Sequence, residues 1–217
     1  MGTRHLICAH KDGKYPIAQY GQWDGYPEGQ GVDVLSFLRG PLVPALERNL
    51  EKCRWITGDE YATMWKEFGV DIEKDKWVSY EQGKLFNEKY PQLSRDTGAG
   101  ILELVAKAEG EIVLRDDLDF ARDSLFCEWA YVVDFDKGTF EVYNGFNSEP
   151  LTPEDRFYCE EPMEYKGSKE KLYPIKMIAS FPLDNLPTQE EFLQTIAEQF
   201  QDPEEDESAG MGMTQQM

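Results

Sequence analysis

Histidine is nearly missing from this 217-residue chain, which has only His5 and His10. Cys8 and His10 have alternate-residue spacing, but a zinc site built on them would have to recruit a distant cysteine or a carboxylate. Cysteine is sparse too. Cys8, Cys53, Cys127 and Cys159 form no C-x-x-C pair, so no metal is expected. Cys8 and Cys127 sit in apolar strand-like runs, where a free thiol packs as a small hydrophobe. The pattern fits a reducing compartment, and a cytoplasmic location is expected. No apolar run approaches the ~18 residues of a membrane span, and polar residues return at His10-Lys11-Asp12, leaving no signal core. Position 6 is Leu6 rather than Ser or Thr, so the myristoylation pattern fails. Cations are few: 22 against 42 acidic side chains, a formal charge of -20. Such a surface repels nucleic acid and anionic lipid, so neither is expected as a partner. Solenoid-period repeats, G-x-S-x-G, H-E-x-x-H and the P-loop are all missing, and no cofactor is expected.

What is present reads as an α+β domain over residues 1–201, followed by an acidic disordered tail at 202–217 that could face a protein partner. Arg4 to His10 and Tyr15 to Trp23 read as strands joined by Asp12-Gly13, a two-residue type I′ hairpin signal. Helical spacing follows at Val32, Leu35, Phe37 and Leu38, and again at Ala45, Leu46, Leu50 and Cys53. Thr57 or Asp59 caps a helix through Tyr61, Met64, Trp65 and Phe68; Ser79 opens another, and Thr97 to Ala108 forms a third. Leu125 to Asp134 is apolar on both faces, as in a buried central strand. Thr139 to Tyr143 and Lys171 to Phe181 supply further strands, and Pro187-Thr188 opens a last amphipathic helix. The sheet is expected to be largely antiparallel.

With Asp12-Gly13 as the turn, facing positions add to 25. Thr3 then faces Gln22 and His5 faces Tyr20, which puts Thr3, His5, Tyr20, Gln22 and Asp24 on one face with Arg4 on the other. The hairpin mouth becomes a candidate polar small-molecule site. Arg4 would orient an anionic or carbonyl group, and Asp24 would hold Arg4 or act as a base. Gln22, Tyr26 and free amides near Gly29 and Gly31, ahead of a helix, would complete the pocket, with Trp23 as a further wall. A structural alternative has these residues serving only the hairpin, the turn and the helix start.

The stretches Met1-Gly2-Thr3-Arg4 and Ala18-Gln19-Tyr20-Gly21-Gln22-Trp23-Asp24-Gly25-Tyr26-Pro27-Glu28-Gly29-Gln30-Gly31 resemble a family of microbial, fungal and viral proteins. These share the Met-Gly-Thr-Arg opening and an Asp-Gly-Tyr-Pro or Asp-Ser-Tyr-Pro motif. The Trp129 to Phe135 segment is similar to their later strand. This resemblance implies no particular activity. A more distant resemblance, to N-terminal nucleophile hydrolases, rests on the order of Thr3, Arg4 and Asp24. It implies amide or ester hydrolysis with Thr3 as nucleophile, which would require a cut after Gly2.

Glu128 lies inside Phe126-Cys127-Glu128-Trp129-Ala130 and reads either as a buried acid or as a partner for Arg4 or Arg122. Asp116, Asp117, Asp119 and Asp123 lack calcium-loop spacing and read as a solvated loop. Two functions follow: a hydrolase using Thr3, Arg4 and Asp24, or a non-catalytic binding or interaction protein whose N-terminal motif is structural.

Overall fold

The computed structural model describes residues 2–165 and 171–200; the tail expected at 202–217 lies outside them. The chain opens with a hairpin, β1 (His5–Lys11) and β2 (Lys14–Gly21). Asp12 and Gly13 both take positive φ, 53° and 69°, as a type I′ turn demands. A π-helical turn at Pro27–Gly31 runs directly into α1 (Val32–Leu38), and α2 (Val43–Asn49) follows. Next come β3 (Cys53–Trp55), α3 (Gly58–Lys66), α4 (Tyr80–Lys89), α5 (Gly100–Ala106) and β4 (Ile112–Leu114). The last part holds β5 (Trp129–Asp134), β6 (Thr139–Asn144), β7 (Met163–Glu164), β8 (Lys171–Leu172), β9 (Lys176–Pro182) and α6 (Gln189–Glu198).

The main sheet has five strands in the order β2-β1-β5-β6-β9. Three of its ladders are antiparallel, and β1 runs parallel to β5. The α+β class and the largely antiparallel sheet therefore hold. The parallel pair exists because a long helical crossover returns the chain beside its own start.

Both faces of the sheet are covered. Ile7, Ile17, Tyr131, Val133, Phe140 and Val142 pack against Val34, Leu35, Leu46, Leu102, Phe192 and Ile196 from the helices. Leu6, Cys8, Ala18, Val132 and Tyr143 pack against Ala121, Cys127, Phe157 and Ile175 from irregular chain. A third cluster joins α3 to α4, with Trp65 stacked on Phe86 at 3.9 Å. Thr57, Ser79 and Thr188 each cap their helix through a reciprocal bond with Glu60, Gln82 and Glu191. Among the described residues, no helix is long and apolar enough to cross a membrane.

Several expectations need correction. Facing positions in the hairpin add to 26, with His5 opposite Gly21 and Ile7 opposite Gln19; only Lys11 and Lys14 keep the sum of 25. The slip occurs where Tyr15 and Pro16 together oppose His10. Pro16 has no N–H to give the ladder, so the strand bulges there. One residue of slip exchanges the faces of β2 relative to β1. Tyr20 and Gln22 thus join Arg4 rather than Thr3 and His5.

Of the helix expected to continue through Leu50 and Cys53, the α-helical part ends at Asn49 and a 3₁₀ turn carries it over Leu50–Lys52. The Asn49 Nδ2 reaches the carbonyls of Val105, Ala106 and Ala108 at 3.0 Å each, and Cys53–Trp55 becomes a strand beside β4. The strand expected from Leu125 starts only at Trp129, because residues 123–127 form a turn closed by Cys127 N–H on the Asp123 carbonyl at 2.7 Å. The one expected at Lys171 to Phe181 is divided between β8 and β9 around Pro174.

Arg156 closes the irregular layer onto the sheet. Its guanidinium donates to Glu141 at 2.6 and 2.9 Å, to the Tyr15 hydroxyl at 3.1 Å, to the Tyr143 hydroxyl at 3.1 Å, and to Asp134. All three charged side chains are almost fully buried. Burial pushes the carboxyls of Asp134 and Glu141 up. Backbone N–H donors at Asp134, and Arg156 at both, outweigh it and hold them below the ordinary range. Carboxyl groups depressed in this way stabilise the fold above their unfolded pKa, and the contribution disappears as pH falls through their folded values. Arg156→Leu strands two buried carboxylates and is expected to cost about 3–5 kcal/mol in urea denaturation at neutral pH. The deficit should shrink when the measurement is repeated below the carboxylate range.

Candidate functional site

The N-terminal motif folds into a clasp. Asp24 takes φ 55°, and its carbonyl accepts the Gln30 N–H at 2.9 Å. Gly25 donates its N–H to the Thr3 carbonyl at 3.0 Å, and its own carbonyl accepts the Tyr131 hydroxyl at 2.8 Å. The Gln30 Oε1 accepts the Ala99 N–H at 2.6 Å, tying the clasp to the start of α5. Gly29 is required here: a Cβ would lie 2.3 Å from the Asp24 carbonyl oxygen. The Gly29 and Gly31 amides both donate to the Tyr26 carbonyl, at 3.0 and 3.3 Å. They are thus spent inside the turn, not free for an anion.

The proposed site residues separate into two groups. Thr3 is 3 % exposed and lies on the helix-packed face with buried His5. Arg4 lies on the other face, its guanidinium carbon 4.4 Å from the Phe126 ring centroid and its Nε 3.8 Å from Glu128. Glu128 also accepts the Arg4 backbone N–H at 3.1 Å, so it is a partner for Arg4. Asp24 is exposed, and no hydrogen bond or ion pair joins its side chain to Arg4 among the described residues. Tyr26 projects into solvent.

Gln22 takes a different role. It accepts the Tyr20 hydroxyl at 2.6 Å and donates its N–H to the Arg95 carbonyl at 2.9 Å. Burial raises the Tyr20 pKa, while the Arg4 and Arg95 charges pull it the other way. Sequence reasoning did not single out Arg95.

Beyond Arg95 opens a cleft of about 840 Å³ between the hairpin mouth and the α3–α4 pair. Trp23, Tyr61, Trp65 and Tyr80 line it, together with Lys84, Arg95 and Arg115. Arg115 lies 5.7 Å from the Tyr61 ring centroid and is held by Asp117 at 3.2 Å. Trp23 donates its indole N–H to Asp96 at 2.9 Å, which fixes its plane at the rim. Arg95 is exposed, and its guanidinium has no ion-pair partner among the described residues. The cleft joins separate segments spread from Trp23 to Arg115, so no local motif announces it.

Other candidates carry less. A second groove of about 660 Å³ lies at the turn end of β2. Its Arg54 is held by Glu60 and Glu111, and its Lys11 pairs with Glu47. His10, Asp134 and Asp136 approach one another closely enough to frame a cation. Asp134 is already saturated by the Asp136 and Lys137 amides and by Arg156, and Asp136 by the Asp12 and Gly13 amides. The donor set does not suit a metal.

Family models, curated proteins and solved structures were compared with the chain, and none matches.

Two tests address the clasp. Asp24→Asn keeps a residue that tolerates positive φ and should change stability by under about 0.5 kcal/mol, whereas Asp24→Val should cost about 1–2 kcal/mol in chemical denaturation. His5 is buried with neither ring nitrogen hydrogen-bonded. Burial pushes its pKa down to about 4, against a weaker upward pull from the Thr3 backbone. The unfolded chain therefore takes up a proton that the folded one refuses, and stability falls as pH drops from about 6.5 to about 4. The loss should total roughly 3 kcal/mol, and His5→Leu should flatten that slope in a pH series of melts.

Proposed function

We propose that the protein is a non-catalytic binding module for a small anion that carries a planar or aromatic ring. One observation supports this reading: Arg95 and Arg115 stand beside Trp23 and Tyr61 in the same cleft of an otherwise acidic molecule. Guanidinium groups pair with carboxylate or phosphate oxygens through parallel hydrogen bonds. The aromatic walls offer stacking faces, and Trp65 is already backed by Phe86. The N-terminal motif is then structural, and it serves the site by fixing Trp23 and the end of β2.

Hydrolysis fits the geometry less well. Thr3 is buried on the face opposite Arg4. Within the cleft, the Ser79 and Ser94 hydroxyls accept the Gln82 and Asp96 amides, and Thr97 donates to the Pro91 carbonyl. No histidine lines the cleft, so neither an activated nucleophile nor its imidazole base is at hand. The four cysteines are free thiols, which supports a reducing, cytoplasmic setting.

The test is a thermal-shift and tryptophan-fluorescence panel of AMP, UMP, benzoate and inorganic pyrophosphate. A ring-bearing anion should quench Trp23 and raise the melting temperature. Stabilisation should approach about 2.7 kcal/mol at a hundredfold excess over Kd. Arg95→Ala should weaken binding at least tenfold, and pyrophosphate, which has no ring, should bind more weakly than AMP. A flat response across the panel, or one that Arg95→Ala leaves unchanged, overturns the reading.

A further inference from the structure

We propose that the acidic segment Asp202–Glu207 of this chain docks on Arg95 and Arg115 and competes with the ligand for the cleft. This inference rests on the anion-binding reading above for its consequence, though not for the contact itself. Its basis is where the described chain ends, how much chain follows, and the charge that chain carries.

Phe200, at the end of the described chain, lies against Trp129 with ring centroids 6.0 Å apart. Trp129 is the first residue of β5, and it sits beside His5 of β1, which in turn faces Gly21 of β2. The chain therefore ends at the open end of the hairpin. Two strand spacings, about 10 Å, separate β5 from β2, and Trp23 stands just past the end of β2. Seven extended residues reach roughly 23 Å, enough to carry Glu207 from Phe200 across that distance to the cleft rim.

The sequence after Phe200 holds five carboxylates, Asp202, Glu204, Glu205, Asp206 and Glu207, and no Lys or Arg. Most of the surface repels such a segment, because the chain as a whole carries a formal charge of -20. Around the cleft the charges are even: Lys84 lies 3.7 Å from Glu88, Arg115 is held by Asp117, and Arg95 stands near Asp96. Arg95 also has a guanidinium with no ion-pair partner among the described residues. A short tether raises the effective concentration of the segment to the millimolar range, so even a weak carboxylate–guanidinium contact is populated. The carboxylates occupy the anion position without filling the aromatic walls, and a ring-bearing ligand displaces them.

Zero-length carbodiimide coupling of the full chain at low salt reads the contact directly, because Lys84 supplies an amine on the cleft wall. The expected product is an intramolecular link between residues 202–207 and Lys84. It should be independent of protein concentration, and lost in 1 M salt, where the screening length falls to about 3 Å, and in the Arg95→Ala/Arg115→Ala chain. A second full-length variant carries the five carboxylates as Asn or Gln, with AMP as the probe. It should bind AMP at least threefold more tightly than the unaltered chain. A link to Lys84 with no AMP binding by either chain supports the contact and removes the ligand reading. AMP binding that is equal in both chains, or links that avoid Lys84 or join separate molecules, overturns the docking.

Discussion

The Arg156 guanidinium holds together a layer that regular secondary structure cannot. One face of the main sheet is covered by helices, which bury their own hydrogen bonds. The other is covered by largely irregular chain around residues 115–127, 145–165 and 171–175, where few ladders are available. A cation at the centre of Asp134, Glu141, Tyr143 and Tyr15 fastens that chain to three strands at once. The arrangement is tolerable because the buried carboxylates are otherwise satisfied. Asp134 accepts two backbone amides, and Glu141 accepts the Tyr143 hydroxyl at 2.7 Å. From Asp134 the network continues through His10 and Asp136 to the amides of the Asp12-Gly13 turn. The same charges thereby fix the parallel register of β1 against β5.

That register governs the cleft. It sets His5 beside Trp129 and Ile7 beside Tyr131, and the Tyr131 hydroxyl then holds Gly25. With Gly25 fixed, the chain between β2 and α1 has little freedom, and Trp23 is held at the rim of a cavity whose far wall belongs to α3 and α4. Gly2 packs under the same indole, since a Cβ there would lie 2.2 Å from the ring. A glycine-rich stretch whose amides were expected to complete a pocket is instead a means of positioning one tryptophan. Its amides serve the fold, and the cations come from Arg95 and Arg115 in other segments.

Signals that act over a few residues were legible in the sequence. Asp12-Gly13 formed its hairpin turn, and Thr57, Ser79 and Thr188 capped the helices whose starts they mark. Pro16 is equally plain in the sequence, but the slip at it appears only in the folded ladder, and that one residue decides which side chains share a face. The pairing of β1 with β5 could not be read locally, because two apolar strands carry no label for their partner. For the same reason the cleft was hidden. Arg95 follows a short turn after α4, Arg115 leaves β4, and only the folded chain brings them to Trp23.

The central place of β1 bears on how the molecule is made. Its first strand neighbour, β2, leaves the ribosome within seconds, but the other is 124 residues downstream. At roughly 5–20 residues per second of synthesis, about 6 to 25 seconds pass before β5 emerges. Throughout that interval the nascent hairpin presents an unpaired edge and two oily faces, including Leu6, Ile7 and Cys8. Ribosome-associated chaperones that shield such edges would therefore act on this chain early, and slowing translation between α5 and β5 would prolong its exposure to aggregation.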